Sequence, residues 1–144
     1  MYQIKPNTAI KPDQPLVDLV IESVATTKRL FAQAKQPNFT LDKWAPLAAM
    51  VAINEFIWVS PHFEELSWQQ YISYLTEWAR AISWESKFRR IHQWQNLVFL
   101  EHEERSIFGD TLDVGRSVSV YEFNTANKIQ RLSVYLQHKP SLGL

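Results

Sequence analysis

The sequence contains no cysteine. Disulfides, cysteine-ligated zinc and thiol nucleophiles are therefore excluded. Glycine is nearly as scarce, with three in 144 residues, and no glycine-rich phosphate loop is present. Excess charge is missing too. Fifteen Lys and Arg meet fifteen Asp and Glu, so no strong field gathers nucleic acid or anionic lipid. No apolar run approaches the length of a membrane span. Residues 1–15 carry Lys and Pro but no apolar core, so no secretory signal is read there. The expectation is a cytoplasmic protein with no nucleic-acid or membrane partner.

What the chain has instead is aromatic bulk: six Trp, five Tyr and eight Phe. Aromatic side chains bury large areas and often line cavities or subunit interfaces. The length fits one domain with a sizeable core. Residues 1–14 read as an N-terminal arm, 15–138 as the domain and 139–144 as a tail. Pro15 suits the first turn of a helix. Val17, Val20, Ile21, Val24 and Phe31 recur near helical spacing, so a helix is expected over about 15–35. Thr40 and Asp42 precede a short helix carrying Trp44, Leu47 and Ala48. Val51–Ser60 is apolar and β-branched and stops at Pro61, the pattern of a strand. Ser67 and Gln70 form a capping-box pattern. Trp68, Tyr71, Ile72, Leu75, Trp78, Ala79 and Ile82 then keep helical spacing. His62–Glu65 reads as the loop before that helix.

From Ser86 onward the chain reads as strand. Phe88, Arg90, His92 and Trp94 alternate with Arg89, Ile91, Gln93 and Gln95. Asn96 is a turn residue, Leu97–Ile107 a long strand, and Gly109-Asp110 punctuates. The hairpin of Gly115–Gln137 closes the chain, with Asn124–Asn127 at its turn because Asn tolerates positive φ. Helices first and strands after give an α+β domain, with a curved sheet whose mouth can hold a ligand.

Candidate site residues follow from strand parity. His102 and Glu104 share a face with Val98 and Leu100, which would be the cavity face. A carboxylate beside an imidazole there would permit general acid/base work. His92 shares a face with Phe88 and Trp94. If that face is inward, His92 is a polar group in an aromatic wall and Trp94 lines the ligand site. Trp58 and Ser60 share a face near the mouth, an indole to stack a flat ligand and a hydroxyl to anchor it. The opposite face, with Ile91, Leu97 and Phe99, is the expected dimer surface.

The order of elements, Phe56-Ile57-Trp58-Val59-Ser60-Pro61, the run His92–Asn96 into Val98–Glu101, and Val120–Phe123 with Lys128-Ile129 and Val134–Leu136 together resemble the nuclear transport factor 2-like superfamily, in its SnoaL-like branch. The resemblance covers about residues 15–138. It implies a cystatin-like cone, a strongly curved mixed sheet wrapped around N-terminal helices. The family includes enzymes, binding modules and dimerisation domains. Against its ketosteroid isomerases, Ser60 stands at the base, Ser119 at the protonated Asp and Phe31 near the Tyr, so isomerisation of that type is rejected. Against its limonene epoxide hydrolases, His102 falls at the Arg, Glu104 at the Asp and Gln137 at the terminal Asp. Gln137 has the parity opposite to the apolar stripe Leu132, Val134 and Leu136. Either a bulge re-aims the strand end or Gln137 lies outside the pocket. Against scytalone dehydratase, His92 falls at an inward His.

The expected protein is thus a homodimer holding a small apolar or aromatic ligand. His92, His102 and Glu104 are the candidate catalytic residues. Trp58, Ser60, Trp94, Ser119, Tyr121 and Gln137 are the candidate ligand-binding residues. No metal and no redox cofactor is implied. The alternative is a non-catalytic binding or dimerisation module.

Overall fold

A computed structural model of the chain describes residues 14–138. The expected arm and tail lie outside the described residues, apart from Gln14. Helix α1 (Pro15–Gln33) starts with Pro at its first position, where no amide donor is lost. Its buried stripe runs through Leu16, Val17, Val20, Val24, Leu30 and Phe31. Gln14 pins this end to the sheet: its Oε1 accepts from the Gln93 amide at 3.1 Å, and Gln93 Oε1 accepts from the Leu16 amide at 2.9 Å. A 3-10 turn (Leu41–Trp44) leads into the four-residue helix α2 (Ala45–Ala48). Trp44 is 1% exposed, and its indole donates to Thr76 Oγ1 at 2.9 Å.

Helix α3 (Trp68–Ala81) opens with the complete capping box expected of Ser67 and Gln70, each side chain accepting from the other's amide. Its far end is closed from the turn after α1, since Lys35 Nζ donates to the Ala79 and Ile82 carbonyls. An ammonium there also suits the negative end of the helix dipole.

Among the described residues, six strands form one sheet: β1 (Ile57–Val59), β2 (Glu65–Ser67), β3 (Ser83–Trp94), β4 (Leu97–Phe108), β5 (Thr111–Phe123) and β6 (Ile129–His138). Their spatial order is β2-β1-β6-β5-β4-β3. Only β1–β6 is parallel, so the sheet is mixed, as expected. One face lies against α1 and α3, and its central residues Val98 and Leu100 are fully buried. At the β5–β6 turn, Asn124 Oδ1 accepts from the Ala126 and Lys128 amides, and Asn127 sits at φ 58°. The positive φ of Asn127 is the turn role read from the sequence.

Two strand expectations need correction. The apolar run 51–60 is not one strand. Val51 makes an isolated bridge to Ile129, Ala52–Phe56 is a turn closed by the Phe56 amide on the Ala52 carbonyl, and only Ile57–Val59 is strand. Burial of Val51 and Phe56 in the core, rather than strand pairing, accounts for the apolar character. The loop expected at His62–Glu65 is a tight turn between two short strands, because β2 pairs with β1 from Glu65.

Candidate functional site

Beta bulges decide which side chains meet in the concavity. In β3, Phe88 pairs with His102 but Arg90 pairs with Glu101, so Arg89 is an extra residue. An extra residue inverts the faces of everything beyond it. Before the bulge, Trp84, Ser86 and Phe88 share the inner face with His102 and Glu104. After it, Ile91 and Gln93 turn inward, and His92 and Trp94 turn outward.

His92 is exposed and Trp94 is 57% exposed, so neither lines the cavity. That corrects the inward reading of both residues. Ile91 packs against the core and is not part of the outer face. A second bulge, at Gln130, lies at the start of β6. From Arg131 on, parity holds without interruption: Leu132, Val134 and Leu136 line the cavity, and Gln137 pairs with Arg116 and is exposed. Gln137 is therefore outside the pocket.

The remaining candidates converge. A cavity of about 290 Å³ lies between α1, α3 and the concave face of the sheet. Trp58, Ser60, His102, Glu104, Ser119 and Tyr121 all line it. Glu104 is half-buried, and both of its oxygens accept: Oε1 from the Trp84 indole at 3.1 Å and Oε2 from the Ser117 hydroxyl. His102 is 5% exposed, with Nδ1 at 2.7 Å from Ser86 Oγ and Nε2 at 3.2 Å from Ser119 Oγ. Burial holds its pKa below the ordinary histidine value, against a smaller opposite pull from Glu104. At neutral pH the imidazole is uncharged.

The phenols of Tyr71 and Tyr121 are buried in the same cavity. Burial raises both pKa values above the ordinary tyrosine range. The Glu104 charge adds to each, while Ser23 partly offsets the effect at Tyr121. Both phenols are therefore protonated donors at any physiological pH.

At the mouth, Ser60 is buried and its hydroxyl is taken up by the turn. It accepts from the His62 and Glu64 amides at 3.1 Å each and lies 3.4 Å from Glu64 Oε1. Glu64 lines the rim and is exposed. One wall is a column of rings, Trp58 on Tyr74 at 5.2 Å and Tyr74 on Trp78 at 5.8 Å.

Sequence reasoning missed Trp84, Ser117 and Tyr71 as site residues. Trp84 was legible in principle, since the alternation of Ser86 and Phe88 extends back to it. Ser117 has the parity of Ser119. Tyr71 reads as ordinary core by its helical spacing, and nothing local distinguishes a core ring from one at a cavity wall.

No family model and no curated protein matches the sequence. Solved structures do match. A protein assigned as a SnoaL-like polyketide cyclase from Shewanella putrefaciens superposes with TM-score 0.66 at 9% identity, over 94% of this chain and 89% of that one. An epoxide hydrolase of the limonene type from M. tuberculosis gives 0.64 at 14% identity, over 85% and 86%. A protein with a ketosteroid isomerase-like fold from Catenulispora acidiphila, in complex with trimethylamine, gives 0.58 at 12% identity, over 79% and 84%. At such identities the likeness establishes the fold.

Proposed function

From a cone of the nuclear transport factor 2-like, cystatin-like fold, we propose that this chain binds a small, largely apolar or aromatic molecule in the concavity and that Glu104 is its proton acceptor. The observation that carries this reading is a half-buried carboxylate, fixed by two neutral donors, on the wall of an open cavity. A fixed carboxylate is a competent general base, and two protonated phenols in the same cavity suit the stabilisation of a developing oxyanion. Lyase, isomerase and hydrolase reactions that start with proton removal and pass through a developing oxyanion use that pair of roles. The neighbouring structures named for epoxide hydrolysis and polyketide cyclisation fall in the same broad range of chemistry. His102 is a positioning group in this scheme, since both ring nitrogens are occupied by serines.

That same saturation favours a second reading, binding without turnover. The test is a screen of a small-molecule panel by thermal shift, followed by product analysis for each binder with the parent protein and with Glu104→Gln. The catalytic reading expects product from the parent alone. Binding without product from any panel member favours the second reading.

A second copy of the chain is proposed as the partner of the outer sheet face. Trp94, Leu97, Phe99, Val118, Val120 and Tyr135 are joined there through the strand register. Trp94 and Tyr135 are 57% and 62% exposed. Charges of both signs lie on that face, with Arg90 paired to Glu101 and Arg105 to Glu103. Such a face does not repel its own copy.

A further inference from the structure

The charge of the cavity is unbalanced. Among the described residues, its wall contains two carboxylates, Glu104 inside and Glu64 at the rim, and neither a lysine nor an arginine. The groups that touch Glu104 are an indole N–H and a serine hydroxyl, both neutral. Of the two histidines on the wall, His102 is kept neutral by burial, and His62 is exposed in the rim turn beside Glu64. Three basic side chains near the cone have partners other than Glu104: Arg89 Nε lies 4.0 Å from Glu101 Oε1, and two more donate to carbonyls. Lys35 donates to the Ala79 and Ile82 carbonyls, and Arg80 to those of Ala34 and Phe39. A half-buried carboxylate whose bonded partners are all neutral leaves its charge to be balanced by a bound group. The rest of the wall is rich in Trp, Tyr and Phe, which favours a weakly hydrated cation over a strongly hydrated one.

We infer that the molecule bound in this cone is a cation, an amine or quaternary ammonium on an apolar or aromatic body, with its charged nitrogen directed at Glu104 and its body against the aromatic wall. This inference rests on the binding role proposed for the cavity and names its ligand class. The upward shift of Tyr71, Tyr74 and Tyr121 is consistent with it, because Glu104 contributes to all three and the same field opposes an anionic ligand. Glu64, exposed at the mouth, would draw a cation inward.

Three probes with the same benzyl body and different charge test it by calorimetry on the full chain: benzyltrimethylammonium, its neutral carbon isostere neopentylbenzene, and the anion phenylacetate. The cation should bind at least about tenfold more tightly than either of the others. Glu104→Gln should remove most of that preference and leave the isostere unaffected. Glu64→Gln, at an exposed position that does not threaten folding, should weaken the cation by about twofold and steepen no other response. Equal or tighter binding of the isostere or the anion overturns the cation assignment but leaves the cavity a binding site. Binding of none of the three overturns both.

Discussion

The indole N–H of Trp84 donates to Glu104 Oε1 at 3.1 Å, tying β3 to β4 on the wall of the cavity. With the Ser117 hydroxyl on the other oxygen, it fixes the plane of the carboxylate. Replacing Trp84 with Phe keeps most of the ring volume and deletes the donor. The expected cost is about 1–3 kcal/mol of stability, because a partly buried charged acceptor loses a partner. Urea denaturation of Trp84→Phe measures it, and a change below about 0.5 kcal/mol would show that the bond has little hold on Glu104.

The titration of His102 sets a pH dependence of stability. Burial lowers its pKa in the folded state relative to the unfolded chain. Above about pH 6.5 both states leave it neutral and it adds no slope. As pH falls below that value the unfolded chain takes up the proton first, so stability declines towards the folded-state pKa. Denaturation midpoints from about pH 8 to about pH 5 should show this decline, and His102→Asn should flatten it. Glu101, held low chiefly by its bond to Arg90, acts in a separate and more acidic window. Its stabilisation is lost only as pH falls through a folded-state pKa below the usual carboxylate range.

Residues on the outer face of the sheet should be silent in the cavity. His92→Ala and Gln137→Ala are expected to leave ligand affinity unchanged and stability within about 0.5 kcal/mol. Trp94→Glu should also spare affinity while converting the proposed dimer to monomers, read by light scattering after gel filtration. Loss of ligand affinity in His92→Ala would restore the inward assignment.

Phe63 sits at φ 68° in the β1–β2 turn and is 87% exposed. A non-glycine residue in the left-handed region costs roughly 1–2 kcal/mol, against about 0.5–1 kcal/mol for the added chain entropy of glycine. Phe63→Gly should therefore raise stability by about 0.5–1 kcal/mol, measurable as a higher denaturation midpoint.

The fold was legible because its signals are local and repeated. Ser67 and Gln70 mark the start of α3 by themselves, Asn124 and Asn127 mark the last turn, and the aromatic spacing of α3 admits one period. The inner row of β4 was legible for the same reason, since Val98, Leu100, His102 and Glu104 run without a bulge. His92 and Trp94 were misplaced because one extra residue, Arg89, inverts parity, and no glycine or proline announces it. Gln137 was carried to the site by its place in a family pattern, although its parity argued otherwise, and parity prevails. The short strand β2 has no sequence signal of its own. It exists because Glu65–Ser67 lies opposite Ile57–Val59 across a tight turn.

The central claim is an occupied concavity with Glu104 on its wall. The six indole N–H resonances of the chain report on it directly, with Trp84 and Trp58 at the cavity and Trp94 outside it as an internal control. Titration of the ¹⁵N-labelled protein with benzyltrimethylammonium and neutral aromatic fragments should move the Trp84 signal in step with saturation and leave that of Trp94 in place. A Trp84 resonance that stays fixed while every fragment is tried, or one that moves only together with Trp94, would contradict the account.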